Sequence, residues 1–171
     1  MQQTNLSGTR VPEIRLGFLE DGEVRSVSTA DIFAHGLTVV LGIPGAFTPV
    51  CTKRHLPDFI SNAAKFEKIG CRQLVCIAPN DPFVLEEWAR KVDPAGTIRF
   101  LSDGNLQFTR ALGLDSANHE LFIGTRSQRY LMIVENGTIV RLRVEPNILT
   151  YSCSGAEDAL NAADALDILM V

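Results

Sequence analysis

Apolar strands and helical segments alternate through the middle of the chain, and this order limits the folds that it can adopt. Apolar runs at residues 37–43, 74–78 and 98–101 predict strands, and the segments 49–68 and 81–91 between them have helical spacing. In a β-α-β order the connecting helix packs on one face of a parallel sheet. The sequence therefore predicts an α/β fold with helices on the faces of a central sheet.

The chain before this unit predicts a β-hairpin. Residues 13–19 and 23–27 have strand character and flank Glu20-Asp21-Gly22, whose Asp-Gly pair favours a tight hairpin turn. Residues 29–34 then predict a short helix. We expect the hairpin to be an N-terminal extension of the sheet.

The chain after the unit predicts a second hairpin and a last helix. Asn136-Gly137 is a strong hairpin signal between predicted strands at residues 129–135 and 138–144. Ser154-Gly155-Ala156-Glu157 has the form of a capping box and predicts a helix that continues to about residue 169. A β-α-β unit followed by a hairpin and a helix is the layout of the thioredoxin fold. We therefore expect a thioredoxin-like fold with a mixed central sheet.

One cysteine lies where the predicted backbone favours its anion. Cys51 follows Thr48 and Pro49, and a hydroxyl residue before a proline is a typical helix start. Cys51 is then in the first helical turn, where free N–H groups and the helix dipole favour a thiolate over a thiol. We expect Thr48 to cap the helix and to donate its hydroxyl to the sulfur or to a bound oxygen. A small core residue is the other interpretation of this cysteine.

The segment around Cys51 also carries a family resemblance. Pro44-Gly45-Ala46-Phe47-Thr48-Pro49-Val50-Cys51 resembles the active-site motif of peroxiredoxins, in particular of the type II group that includes the atypical two-cysteine members. Other matching stretches are Asn80-Asp81-Pro82-Phe83, Trp88, residues 124–137 around Arg129, and Val144-Glu145-Pro146. The resemblance implies a thiol-dependent peroxidase that requires neither a metal nor an organic cofactor.

The resemblance also implies a role for each matching residue. The Cys51 thiolate would attack hydrogen peroxide or an alkyl hydroperoxide and become a sulfenic acid. Pro44 would shield the thiolate, while Thr48 and Arg129 would stabilise the oxygen that becomes charged. If the strand that begins at Arg129 neighbours the strand that ends at Ile43, an antiparallel pairing brings Arg129 beside Cys51.

The group that reduces the sulfenic acid is left open. Cys153 lies in a polar segment before the last helix, and its spacing from Arg129 matches the resolving cysteine of atypical two-cysteine members. Cys76 matches the position favoured in other type II members. The reductant is expected to be thioredoxin, or glutathione with glutaredoxin acting directly on Cys51. Both Cys76 and Cys153 could also be packing thiols.

Composition narrows the class of partner. A chain of 171 residues is expected to form one domain over residues 1–171, and its net charge of -4 gives no electrostatic case for binding nucleic acid or an anionic membrane. The sequence has no 18-residue apolar stretch and residues 1–8 lack the layout of a signal peptide. These features predict a cytoplasmic protein.

The cysteines and histidines do not have the spacing of a metal site. Cys51, Cys71, Cys76 and Cys153 form no Cys-x-x-Cys pair. The histidines are spread along the chain, and we interpret all of them as solvated or hydrogen-bonded surface residues: His35, His55 and His119. The sequence therefore predicts no bound metal.

Two alternative functions and the possibility of a homodimer remain open. His55 is four residues after Cys51 on the same helix face, so a cysteine acyl-transfer enzyme is one alternative. A redox-sensing or holdase interaction module of thioredoxin fold is the non-enzymatic alternative. Phe47, Phe83 and Trp88 are aromatic candidates for a homodimer contact, unless they belong to the core.

Overall fold

The computed structural model describes residues 5–169. The strands are β1 (Arg15–Glu20), β2 (Glu23–Ser28), β3 (Leu37–Gly42), β4 (Cys71–Ala78), β5 (Ile98–Ser102), β6 (Asp115–Ala117), β7 (Thr125–Ser127), β8 (Tyr130–Glu135) and β9 (Thr138–Val144). The helices are α1 (Thr29–Ile32), α2 (Leu56–Ser61), α3 (Ala63–Lys68), α4 (Pro82–Val92), α5 (Gln107–Ala111) and α6 (Ala156–Leu169). A π-helical turn, Cys51–His55, precedes α2, and a 3-10 turn, His119–Leu121, precedes β7.

Seven strands form one mixed sheet in the order β2-β1-β5-β4-β3-β8-β9. β3, β4 and β5 are parallel, whereas β8 is antiparallel to β3 and places Tyr130 opposite Gly42. The start of β8 and the end of β3 therefore lie next to each other at the same end of the sheet. The predicted mixed sheet and the predicted β-α-β order are confirmed.

Both predicted hairpins are present, and their turns have the backbone geometry that their residues favour. Asp21 and Gly22 have φ angles of 52° and 80°, and Asn136 and Gly137 have φ angles of 47° and 77°. Two successive positive φ angles are the mark of the type I′ turn, whose twist matches that of the strands. The Asn136 side chain also accepts a hydrogen bond from the Gly36 backbone N–H at 2.9 Å.

The sheet separates two apolar cores, because successive residues of a strand face opposite sides. In β3, Val39 and Leu41 face the core under α2, α3, α4 and α6, while Val40 faces the core under α1 and α5. The first core contains Cys51 and Trp88, both fully buried. The Cys51 thiol is thus a buried group of the first core.

The Tyr130 ring lies directly on Gly42 and fixes the pairing of β3 with β8. A Cβ atom at position 42 would stand only 1.8 Å from a ring carbon of Tyr130, so no side chain fits there. This close approach of ring and backbone holds the first residue of β8 in register. Arg129 precedes Tyr130 and is consequently held beside the end of β3.

The helix predicted over residues 49–68 is not continuous. The chain becomes helical at Pro49, but Leu56 donates its N–H to the Cys51 carbonyl oxygen, which is a π-type bond over five residues. Pro57 explains the irregularity, because it has no N–H to donate to Lys53 and its ring would collide with that carbonyl group. A second break follows α2 at Asn62.

The last helix begins where predicted but its first N–H groups are satisfied differently. The Ser154 hydroxyl donates to the Glu145 carboxylate at 2.7 Å and does not act as the helix cap. Asp58 of α2 accepts from the Ala156 N–H at 2.8 Å, and Asp158 accepts from the Gly155 N–H at 3.2 Å. The predicted capping box is therefore wrong, because a carboxylate from another helix reaches the same donors.

The segment between β5 and β8 contains short elements that the sequence did not predict: α5, β6 and β7. Asp103 starts α5 by accepting from the Phe108 N–H at 3.0 Å and the Thr109 N–H at 2.8 Å. β6 and β7 have three residues each, too few to show a periodicity. Within residues 5–169, no helix is both long enough and apolar enough to cross a membrane.

Candidate active site

Cys51 and Arg129 meet at the end of the sheet where β3 ends and β8 begins. The Arg129 Nη1 atom donates to the Cys51 Sγ atom at 3.1 Å, and the two side chains have exposed fractions of 1% or less. Cys51 is in the first turn of the helix that starts at Pro49, as the sequence predicts. Arg129 directly precedes β8, and the antiparallel pairing of β8 with β3 brings the two groups together across 78 residues of sequence.

The Arg129 guanidinium has further acceptors, all of them neutral. Its Nε atom donates to the Thr150 carbonyl oxygen at 3.1 Å and its Nη2 atom to the Ile148 carbonyl oxygen at 2.8 Å. None of the ion pairs found within residues 5–169 includes Arg129. Among the acceptors of this buried cation, the Cys51 sulfur is thus the one that becomes an anion on losing its proton, and Arg129 is placed to stabilise that charge directly.

His55 is buried beside Arg129, so its interpretation as a surface residue is wrong. Its Nδ1 atom lies 3.2 Å from Arg129 Nη1, and its Nε2 atom lies 3.1 Å from the Ser154 carbonyl oxygen. Because arginine only donates, Nδ1 is the acceptor and Nε2 carries the proton that binds Ser154. Burial, reinforced by the Arg129 charge, lowers the pKa of His55 from 6.5 to about 3.

This arrangement also bears on the acyl-transfer alternative. A general base for Cys51 needs a free imidazole nitrogen. Both nitrogens of His55 are occupied, one by Arg129 and one by the Ser154 carbonyl group. His55 therefore acts as a neutral bridge between the guanidinium and the chain before α6.

Thr48 lies in the loop between β3 and the helix, and its hydroxyl proton is already engaged. Thr48 Oγ1 donates to the Gly45 carbonyl oxygen at 2.8 Å, so the expected side-chain helix cap is absent. Asn80 holds the same loop by accepting from the Ala46 N–H at 2.7 Å. With its proton directed at Gly45, the Thr48 oxygen can accept a hydrogen bond from a ligand. In this structure the Thr48 hydroxyl thus donates to Gly45 and not to the Cys51 sulfur.

An apolar cavity of about 290 Å³ leads to Thr48 and Arg129. Its other lining residues are apolar or proline: Pro44, Pro49, Val50, Leu121, Ile123, Ile148 and Leu149. Cys51 itself has no exposed surface. The cavity thus offers a space with a mostly apolar wall beside Arg129, whose guanidinium contacts the Cys51 sulfur.

Cys153 lies in the segment that connects β9 to α6. Its thiol is partly buried, lies 3.6 Å from the Val144 carbonyl oxygen, and has its pKa raised, mainly by burial and then by the Glu145 charge. Glu145 accepts hydrogen bonds from the backbone of Ser152, Cys153 and Ser154. In the sequence, Glu145 belongs to the stretch Val144-Glu145-Pro146 that resembles peroxiredoxins, but its role was not predicted.

The other two cysteines are in β4. Cys76 is fully buried in the same core as Cys51, and burial raises its pKa. Cys71 donates to the Gln73 carbonyl oxygen at 3.2 Å. All four thiols are free, and no cluster of metal-binding side chains occurs in the described part of the chain.

The aromatic candidates for a dimer contact differ in exposure. Trp88 is fully buried and donates to the Thr52 hydroxyl at 3.2 Å, so of its two interpretations, dimer contact or core residue, the second holds. Phe47 and Phe83 are more than half exposed. Leu121, Phe122 and Leu149 are exposed as well, and two of these three line the cavity.

We predict that His55 stays neutral in the folded protein down to a pH of about 3. The unfolded chain takes up this proton near pH 6.5, so the free energy of unfolding falls as the pH decreases from 6.5 towards 3. An NMR titration of the imidazole signals, with exposed His35 and His119 as internal references, measures the protonation directly. A His55 signal that shifts at mildly acidic pH would contradict this arrangement.

Comparisons with known proteins agree with the geometry. The model of the Redoxin family matches residues 6–160. The chain is 34% identical to peroxiredoxin-2E-2, chloroplastic, of Oryza sativa subsp. japonica, over 91% of this chain and 71% of that protein. It is 33% identical to peroxiredoxin-2D of Arabidopsis thaliana, over 91% of this chain and 96% of that protein.

Solved structures give the same result. Reduced Prx3 of Vibrio vulnificus in complex with H2O2 matches with a TM-score of 0.87 and 34% identity, over 94% of this chain and 97% of that one. Peroxiredoxin 5 of Alvinella pompejana matches with a TM-score of 0.83 and 29% identity, over 93% and 97%. The matches to the Redoxin family and to peroxiredoxins agree with the thioredoxin-like fold and with the buried Cys51 thiol beside Arg129. The chain is therefore a peroxiredoxin, a thiol-dependent peroxidase of the Redoxin family.

Proposed function

We propose that this peroxiredoxin reduces hydrogen peroxide and alkyl hydroperoxides through a sulfenic acid on Cys51. The 3.1 Å contact between the Arg129 guanidinium and the Cys51 sulfur is the observation that carries the proposal. It puts a fixed positive charge beside the nucleophile in a site from which water is excluded. Electrostatic stabilisation is strongest in such surroundings.

In the proposed reaction the thiolate attacks the terminal oxygen of the hydroperoxide. The O–O bond breaks, the sulfur is oxidised to a sulfenic acid, and the released oxygen takes up a proton to become water or an alcohol. Arg129 stabilises the charge that develops on the oxygens. Thr48, whose own proton is directed at Gly45, accepts a hydrogen bond from the O–H group of the hydroperoxide and so orients the substrate, and this proton stays on the oxygen that is transferred to sulfur. Pro44 and the cavity wall keep bulk water away from the sulfur.

The lining of the cavity supports alkyl hydroperoxides as one substrate class. Apolar side chains of Val50, Leu121, Ile123, Ile148 and Leu149 form most of its wall. An alkyl group gains free energy by leaving water for such a surface, in proportion to the area buried. The small hydrogen peroxide molecule fits the same entrance but makes fewer of these contacts.

For recycling we propose that Cys153 resolves the sulfenic acid. Cys153 lies in a partly exposed connecting segment, whereas Cys76 is fully buried in β4, where it is less accessible to another protein. A Cys51–Cys153 disulfide would then be reduced by thioredoxin. Direct attack on Cys51 by glutathione, followed by glutaredoxin, is the other route.

A homodimer and a cytoplasmic location are further proposals. Exposed Phe47, Leu121, Phe122 and Leu149 provide apolar surface at and beside the cavity mouth. A second copy could cover that surface. The proposed location rests on the composition alone.

We predict that Thr48→Val and Arg129→Lys each slow the reaction of Cys51 with peroxide by on the order of 10²–10³-fold, the scale for loss of one group that stabilises the transition state. Lysine keeps the charge but lacks the planar fork that spans the sulfur, His55 and two carbonyl groups. Cys51→Ser should abolish the reaction. Stopped-flow measurement of the second-order rate constant provides the test.

Two matched substitutions control for nonspecific effects. Thr48→Ser keeps the hydroxyl, and Arg110→Lys makes the same change at an exposed position of α5. Both should react at nearly the wild-type rate. Peroxide reduction that survives Cys51→Ser, or unchanged rate constants in both site variants, would refute the proposed function.

We further predict that one equivalent of peroxide produces an intramolecular bond between Cys51 and Cys153. A disulfide needs Cα atoms within about 7 Å, and we propose that the first helical turn at Cys51 unwinds and the Cys153 segment shifts to bring the two sulfurs together. Peptide mapping under non-reducing conditions identifies the linked peptides. Cys153→Ser should still undergo the first oxidation but lose sustained turnover with thioredoxin.

A free Cys153 in the oxidised protein would sink this part of the proposal. Cys51 would then be found as a sulfenic acid, as a glutathione adduct or bonded to Cys76. In that case Cys153→Ser should keep full turnover with glutathione and glutaredoxin.

A further inference from the structure

Glu145 is a buried carboxylate that binds one short segment of chain with five hydrogen bonds. Its Oε1 atom accepts from the N–H groups of Ser152, Cys153 and Ser154 and from the Ser154 hydroxyl, at 2.7 to 3.0 Å. Its Oε2 atom accepts from the Ser152 hydroxyl at 2.8 Å. Glu145 has an exposed fraction of 1% and belongs to no ion pair within residues 5–169. The segment 152–154 is thus the partner of this buried charge.

The backbone of Glu145 is fixed at the other end. Its N–H donates to the Arg129 carbonyl oxygen at 2.9 Å, beside the first residue of β8. The chain leaves the sheet after Glu145 and returns to the Glu145 carboxylate at Ser152. The carboxylate therefore closes the loop 146–151, whose Ile148 and Thr150 carbonyl groups bind the Arg129 guanidinium.

The same bonds hold the resolving-cysteine candidate in place. Cys153 donates its own N–H to Glu145, and its thiol lies against the Val144 carbonyl group. Any movement of this segment towards Cys51 has to release N–H groups from the carboxylate. Hydrogen bonds to an ionised acceptor are among the stronger ones in proteins, so their release slows the movement.

We propose that Glu145 is a positioning residue that holds Cys153 away from Cys51 and thereby sets how the Cys51 sulfenic acid divides between disulfide formation and further oxidation. This inference rests on the proposed function, in which Cys51 is oxidised by peroxide and Cys153 resolves it. The hydrogen bonds also lower the pKa of Glu145 to about 2, so the carboxylate stays ionised at every pH at which the enzyme would work.

Two reactions compete for the sulfenic acid. In the first, the Cys153 sulfur attacks the Cys51 sulfur, the S–S bond forms, and the hydroxyl group leaves with the thiol proton as water. Cys153 is oxidised and Cys51 is reduced from the sulfenic state. In the second, another hydroperoxide adds an oxygen atom to the Cys51 sulfenic acid, which becomes a sulfinic acid, and the hydroperoxide leaves as an alcohol or water.

Glu145→Gln tests the inference, because it keeps the shape but removes the charge. We expect disulfide formation after Cys51 oxidation to be faster by on the order of tenfold, the effect of lowering its barrier by about 1.4 kcal/mol. More peroxide should then be needed to convert half of Cys51 to sulfinic acid. Rapid-quench mass spectrometry of the intact protein measures both products. Hydrogen exchange of peptides from residues 146–155 should also be faster.

The matched control is Glu157→Gln, the same change at an exposed position of α6. It should leave the ratio of disulfide to sulfinic acid at the wild-type value. In a Cys153→Ser background, Glu145→Gln should no longer affect the peroxide dose for sulfinic acid formation. A change caused merely by a loosened structure would persist there and would count against the proposal.

Several results would overturn the inference. These are an unchanged ratio, or a ratio shifted towards sulfinic acid, in Glu145→Gln. If that variant does not fold, Ser152→Ala decides, because it removes only one hydroxyl donor and should shift the ratio in the same direction by less. A wild-type protein whose Cys51 is not oxidised by peroxide refutes the proposed function itself, and normal oxidation without a shift refutes only the role of Glu145.

Discussion

The buried guanidinium of Arg129 is the group on which the arrangement of the site depends. It contacts the Cys51 sulfur, the His55 ring and the carbonyl groups of Ile148 and Thr150, and it has almost no contact with solvent. A buried charge is costly unless its donors are satisfied. These acceptors therefore stay close to the guanidinium in the folded protein with free thiols. One side chain thus joins the start of β8, the nucleophile and the loop after β9.

His55 and Glu145 extend this link to the chain before α6. The neutral imidazole binds Arg129 on one side and the Ser154 carbonyl group on the other, and the Glu145 carboxylate binds the N–H groups of Ser152 to Ser154. The thiol and the Cys153 segment are therefore tied to the same small set of buried polar groups. A chemical change at the Cys51 sulfur alters one of the contacts that hold that segment.

Much of the fold followed from local sequence patterns. The two type I′ turns and the β-α-β order have strong local signals, since Asp21-Gly22 and Asn136-Gly137 fit backbone angles that few residues adopt. The positions of Cys51 and Arg129 followed from strand pairing together with the family resemblance. The sequence pattern also placed Cys51 in the first helical turn.

The errors arose where long-range contacts replaced local ones. His55 was predicted to lie at the surface although its spacing puts it on the helix face of Cys51, because the groups that bind it, Arg129 and Ser154, are distant in sequence. The last helix donates its Ala156 N–H to the Asp58 carboxylate, so its local capping signal was misleading. Pro57 was the available signal for the irregular turn at Cys51, because a proline inside a helix removes a backbone bond.

Fluorescence of Trp88 after rapid mixing with peroxide tests most directly whether oxidation of Cys51 is coupled to the movement of the Cys153 segment. Trp88 is the only tryptophan in the sequence, and it binds Thr52 inside the π-helical turn. The account predicts two phases: a first whose rate rises with peroxide concentration, and a second that is independent of peroxide and missing in Cys153→Ser. A single phase that is the same in both proteins would contradict it.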